Sequence, residues 1–317
     1  VSVIESVSGT RDGLLLSDEH YGHDVVGGHF HLSGGGLHVY LTGDLLHPPM
    51  VDSYRIWQDG RLWAAGAERH TEAIGDLAEL HPGESVLDIG GGIGGPARLL
   101  ARRHGVSVTS VTNSASHAAT SRRLHEQAAD VRDRLTVVLG DCQEALPPGP
   151  FDAAISVNML YQVADHRGLY KRVFDSLAPD GRFVIDDWML TPIVEDADLR
   201  ALAEHFTYTE FGRTDTVTAE LEAAGFGVER VVDLGHVGRG PMAEHFERQM
   251  REHFAPRVIA DWPGDPDTRP GRPAYGKQMI EEFIAAVNVT IGLYRRRAMT
   301  YRRVLARKPL VAPGAKR

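Results

Sequence analysis

The chain has 317 residues, enough for two domains of roughly 150 residues or for one domain with large insertions. Its 42% hydrophobic and 24% charged residues, without a low-complexity tract, exclude disorder over most of its length. A formal charge of −9 argues against a nucleic-acid partner, and the single cysteine, Cys142, excludes an internal disulfide and a multi-thiolate metal site.

No apolar run approaches the roughly 18 residues of a membrane span and no secretory signal opens the sequence, so the expectation is a cytoplasmic protein without a membrane partner. Residues 1–80 read as an N-terminal lid or cap, punctuated by glycine and histidine, with one short helix around Asp18 to Val26. Six histidines lie between His20 and His47, and His29 and His31 would share one face of a strand. No acidic cluster partners them, so no metal is expected. The glycine-rich stretch Gly27 to Gly36 could act as a hinge, or let the segment pair with a second copy in a homo-oligomer.

The spacing of Leu62, Ala65, Ile74, Leu77 and Leu80 predicts a helix that stops at His81-Pro82-Gly83. A core over 81–193 follows, in which the β-branched runs SVLDIG, SVTSVT, LTVVLGD, FDAAISV and RFVIDDW alternate with helical stretches such as Pro96 to Arg103 and Ala115 to Ala129. Such alternation predicts a doubly wound α/β fold with a parallel sheet. A cap insertion over 194–212 interrupts it; the core resumes over 213–240 with a helix at Thr216 to Ala224 and a strand at Gly227 to Leu234. A second cap insertion covers 241–297, a final core strand 298–309, and a tail 310–317. Arg295 to Arg297, Arg302 and Arg303 read as a solvated basic face.

The chemistry begins in VLDIGGGIGGPARLLA, Val86 to Ala101: a buried strand ending in Asp88, then Gly90, Gly91, Gly92 and Gly94, then a helix. Glycines permit a tight turn and a close approach of backbone to ligand. An acidic residue before them would repel a dinucleotide pyrophosphate, so the turn suits a cation instead.

That turn and the strands after it resemble the class I S-adenosylmethionine-dependent methyltransferases. The resemblance implies their Rossmann-like seven-stranded sheet with an α-helical cap, S-adenosyl-L-methionine as cofactor, and a methyltransferase activity. It places Asp88 at the methionine end, Thr112 and Asn113 at the ribose, and Asp141 and Cys142 at the adenine. His117 and Asn158 join the cofactor set. GGGIGGPARLLARRHGVSV and GGGLHVYL are similar to dimethylglycine and sarcosine methyltransferases, while RFVIDDWMLTP and YRRVLARKP are similar to antibiotic sugar O-methyltransferases. In such enzymes the segment around His38 and Tyr40 closes over the cofactor, and Tyr21 is expected in the same lid.

Two departures keep the acceptor open. The ribose position, acidic in most of the family, is neutral here, as in cyclopropane-forming, sterol and prenyl-diphosphate methyltransferases that alkylate an alkene carbon. The fourth strand ends in SVNMLYQVADH, without the histidine pair of the sugar enzymes. A hydroxyl acceptor would then need another base: Asp187 first, Asp186 as the register alternative, His29 or His31 as substitutes. An alkene acceptor would need aromatic faces to stabilise a carbocation, which Tyr21, Tyr40, Tyr161 and Trp188 could supply. The expected substrate is a small, partly apolar natural product of secondary-metabolite or antibiotic biosynthesis, because Phe206, Tyr208, Phe211, Phe246, Phe254, Trp262, Phe283 and Tyr294 populate the cap sequence. Transfer to a hydroxyl is the first reading, alkene C-methylation the second, and a non-methylating cyclase the third.

Overall fold

The computed structural model describes residues 70–113, 115–205, 210–234, 285 and 288–310. In chain order they form α1 (70–77), β1 (Ser85–Ile89), α2 (Gly95–His104), β2 (Ser107–Thr112), α3 (Ala115–Gln127), β3 (Leu135–Leu139), β4 (Phe151–Val157), α4 (His166–Ser176), β5 (Leu177–Leu190), α5 (Asp196–His205), β6 (Gly212–Arg213), α6 (Val217–Ala224), β7 (Gly227–Asp233), α7 (288–296) and β8 (Met299–Arg307). Local sequence sets several of the ends. Pro96 opens α2, where its missing N–H costs nothing, and Gly105, at φ 71°, closes it. Asp165 caps α4 by accepting from the Gly168 amide (2.8 Å).

The strands form one eight-stranded sheet in the order β3-β2-β1-β4-β5-β8-β7, with the two-residue β6 paired to β5. β1 to β5 run parallel to one another, and β8 is antiparallel to both β5 and β7. This is the doubly wound α/β sheet that the alternation predicts. The central strands read as continuous apolar runs because both faces are covered. Leu87, Ile89, Phe183 and Ile185 pack with α4 and α6. Val86, Ala153, Ile155, Val184 and Leu305 pack on the other face with Ile74 and Ala78 at α1 and Leu100 of α2. The chain runs outward from β1 through β2 and β3, then returns to β4 beside β1. That reversal opens a crevice at the carboxyl ends of the strands.

Some expectations need correction. β5 starts at Leu177 rather than Arg182, because Leu177 pairs with Phe151 ahead of a register shift. Arg303 does not belong to a solvated face: it is buried on β8 opposite Asp186, while Arg295 to Arg297 are exposed. Among the described residues no helix is long and apolar enough to cross a membrane.

Candidate active site

At the end of β1, Asp88 is buried and accepts a hydrogen bond from the Ser110 hydroxyl (2.9 Å). Burial pushes its carboxyl up to about 6, against the lowering effect of Ser110. A buried carboxylate with one donor is a place for a cation, which fits the positively charged methionine end of S-adenosyl-L-methionine. The glycines also fit, though for a different reason than the sequence suggests. The Gly90 and Gly91 amides donate to Val111 O of β2 (2.9 and 3.0 Å), so they fasten the turn to the sheet. A Cβ at Gly90, where φ is +76°, would overlap Met159, and one at Gly94 would overlap His125. His125 bonds Ser121 (3.2 Å), and burial followed by the Arg98 charge brings it down to about 4, so it packs as a neutral ring.

Thr112 and Asn113 stand at the end of β2, with Thr112 buried and its carbonyl accepting from Gly140 N (2.9 Å). Asp141 follows β3 and its Oδ1 accepts from Gln143 N (2.8 Å). The next residue, Cys142, has its thiol pushed up to about 12 by burial and then by the Asp141 charge, which excludes a thiolate nucleophile at neutral pH. His117 is buried on α3. These residues and Asp88 occupy the carboxyl ends of adjacent strands and the helix that follows.

The structure does not leave Asp187 exposed to a substrate. Its side chain is fully buried; Oδ2 accepts from the Met159 and Leu160 amides (2.8 Å each) and Oδ1 from the Trp188 amide (2.7 Å). Burial still raises this carboxyl to about 7, opposed by the three amides and reinforced by Asp186. Asp186 points to the opposite face of β5. Its Oδ1 accepts from Arg303 Nε (2.7 Å) and its Oδ2 from His70 Nε2 (2.5 Å) and the Tyr301 hydroxyl (2.9 Å). As general bases, both candidates are engaged elsewhere: one shapes a loop and the other closes a buried ion cluster.

Asn158, at φ +50°, is the first residue beyond β4; its amide donates to Asp186 O (3.0 Å) and its side-chain oxygen lies 3.2 Å from the Tyr301 hydroxyl. The two described aromatic candidates do meet. Tyr161 stacks with Trp188 (ring centroids 5.9 Å apart) and with Phe211 (5.7 Å), all three largely buried. Tyr294 is core, its hydroxyl pushed well above the usual range by burial. Tyr21, His29, His31, His38 and Tyr40 lie outside the described residues, as do Phe206, Tyr208, Phe246, Phe254, Trp262 and Phe283. Among the described residues no cluster of three or more His, Cys, Asp or Glu could hold a metal.

His70, Tyr301 and Arg303 escape the sequence reading. A signal for His70 exists, since it shares the buried stripe of α1 with Ile74 and Ala78 at helical spacing. Arg303 has one too: it adjoins the apolar run Val304 to Ala306 within β8.

Residues 48–237, more than half of the chain, match the family described as mycolic acid cyclopropane synthetase. The 24-methylenesterol C-methyltransferase 2 of Oryza sativa subsp. japonica is 28% identical over 183 residues, 55% of this chain and 50% of that protein. The chain spans about half the length of the curated relatives it matches. Among solved structures, the cyclopropane synthase MmaA2 of Mycobacterium tuberculosis superposes with a TM-score of 0.64 at 17% identity, over 77% of this chain and 84% of that one. The geranyl diphosphate C-methyltransferase of Streptomyces coelicolor A3(2) does so with 0.60 at 17% identity, over 84% and 85%. At such identities the superpositions speak for the fold alone. The matched family carries the assignment: the chain belongs to the mycolic acid cyclopropane synthetase family, and so to the class I methyltransferases, whose cofactor is S-adenosyl-L-methionine.

Proposed function

We propose that the protein transfers a methyl group from S-adenosyl-L-methionine to an alkene carbon of a small, apolar, isoprenoid-like acceptor. The observation that carries this reading is the pairing of an engaged Asp187 with the Tyr161–Trp188–Phe211 stack. A hydroxyl acceptor needs a base facing it, and Asp187 has both oxygens committed to backbone amides. An alkene acceptor needs no prior deprotonation. Its π pair forms the new carbon–carbon bond as the sulfur–methyl bond breaks, with the electron pair staying on sulfur; the resulting cation is acidic enough to pass a neighbouring proton to water as the product leaves, so no side-chain base is required.

S-adenosyl-L-methionine, when bound, supplies the electrophilic methyl. The remaining work belongs to the chain: Asp88 holds the cationic end, the glycine turn fixes its approach, and the aromatic rings exclude water and face the developing cation. The family match and the sterol C-methyltransferase relative support carbon over oxygen. Hydroxyl transfer on a natural product with Asp187 as base is the second reading, favoured by the rise of its carboxyl to about 7.

The experiment offers purified protein a panel of isoprenoid alkenes and, separately, of hydroxylated acceptors, and follows S-adenosylhomocysteine release together with product mass. Release in step with a one-methylene mass gain on an alkene is expected. Gain only on hydroxylated acceptors selects the second reading, and binding without release selects a non-methylating role such as a cyclase. Tyr161→Leu is expected to lower alkene turnover by about tenfold or more, the scale of a lost cation–π contact in a dry site, without abolishing cofactor binding.

A further inference from the structure

Three consecutive amides beyond β4 are held by two consecutive residues of β5: Asn158 N by the Asp186 carbonyl, and Met159 N and Leu160 N by the Asp187 carboxylate. Segment 158–160 is thus moulded on the Asp186–Asp187 pair. Met159 in turn packs against Gly90 so closely that a Cβ there would overlap it. The position of the Gly90 turn is therefore tied to that of β5.

Asp186 is itself fixed from two other elements. His70 of α1 donates Nε2–H to Oδ2, Arg303 of β8 donates Nε–H to Oδ1, and Arg303 Nη2 donates to His70 Nδ1 (3.3 Å). Tyr301 completes the cluster, its hydroxyl lying 2.6 Å from Asp186 O, 2.9 Å from Asp186 Oδ2 and 3.2 Å from Asn158 Oδ1. Asp186 is fully buried, and His70 and Arg303 nearly so. An apolar trio of similar volume would meet the packing need with a smaller desolvation cost. What such a trio could not do is present a carboxylate to Tyr301, whose hydroxyl also meets the carbonyl and side-chain oxygens around Asn158, a non-glycine residue in the left-handed region.

We propose that His70, Tyr301 and Arg303 are positioning residues for the cofactor: by fixing Asp186 they set segment 158–160, and through Met159 the glycine turn that receives S-adenosyl-L-methionine. The inference rests on the cofactor assignment made above. It makes helix α1, more than 200 residues from β8 in sequence, part of the cofactor site without touching the ligand.

Calorimetric titration with S-adenosylhomocysteine tests it on the full chain and on three variants: Tyr301→Phe, His70→Gln, and Arg182→Met as a control. Arg182 is also buried and multiply bonded, to Ala78 O, Glu79 O, Asp152 O and Glu84, but it lies at the opposite end of the sheet. Tyr301→Phe and His70→Gln are expected to weaken binding by about five- to twentyfold, the span of a modest coupling between packed sites. Arg182→Met is expected to stay within about twofold even where its melting temperature falls as far. If Tyr301 acts through Asn158, the double variant Tyr301→Phe/Asn158→Ala binds no more weakly than Asn158→Ala alone. The inference is overturned if the first two variants bind like the parent, if affinity tracks melting temperature in all three, or if the double variant is additive. A parent that binds no S-adenosylhomocysteine would instead remove the cofactor assignment, and this inference with it.

Discussion

At Asp187, burial and hydrogen bonding pull in opposite directions, and burial wins: the carboxyl rises to about 7 even though three amides favour its charged form. Because the folded-state value is raised, its contribution to stability is fully present below about 4 and is lost as pH rises through 7. Asn in its place cannot accept from all three amides, since one of its two polar atoms is a donor. Asp187→Asn should cost about 1–3 kcal/mol for each amide left unpaired, and S-adenosylhomocysteine affinity should fall together with the melting temperature. Unchanged affinity and melting, with turnover alone lost, would restore Asp187 as the base. Asp88 gives a second prediction. Its carboxyl lies at about 6, and a cationic ligand favours the ionised form, so affinity should be flat above pH 6 and fall by up to about tenfold per unit below it. Asp88→Asn should bind more weakly at neutral pH and lose that dependence; a parent profile that is level from pH 5 to 8 would contradict the assignment.

Among the elements, the turns before and after β1 show how one residue type serves two purposes. Gly83 and Gly90 both have positive φ, +90° and +76°, but a Cβ at Gly83 meets nothing within 4 Å whereas one at Gly90 overlaps Met159. Gly83→Ala should therefore cost about 1 kcal/mol in stability, from backbone conformation alone. Gly90→Ala should add displacement of segment 158–160 and abolish measurable cofactor binding. Equal binding by the two variants would show that the contact between Met159 and the turn is unimportant. The element pattern itself was largely readable. Val86–Leu87, Val108–Val111 and Ala153–Val157 are short β-branched or apolar runs bounded by turn residues, and α2 carries its own start and stop in Pro96 and Gly105. The true start of β5 was not readable, because Pro179, Asp180 and Gly181 look like a turn; the strand begins ahead of them through the pairing of Leu177 with Phe151, and Asp180 and Gly181 bond the Lys308 backbone beyond β8.

For the molecule as a whole, the sheet order gathers residues 70, 88, 158, 186, 301 and 303 around the carboxyl ends of the central strands β1, β4 and β5 and the antiparallel β8 beside them, although they span most of the chain. The sequence by itself determined the doubly wound fold and the glycine turn behind Asp88, because apolar periodicity and a strand–turn–helix motif are local and survive without partners; the family came from the resemblance of its motifs, which the matched family bears out. The sequence also named Asp88, Asp186, Asp187, Tyr161 and Trp188 near the strand ends, but not His70, and it read Arg303 as solvated. Only the tertiary structure decided their roles. A strand alternates its faces, so adjacent Asp186 and Asp187 enter different environments, one meeting His70 and Arg303, the other meeting the amides beyond β4. Which neighbours a side chain finds across a sheet depends on strand order and register, and neither is written in the letters around it.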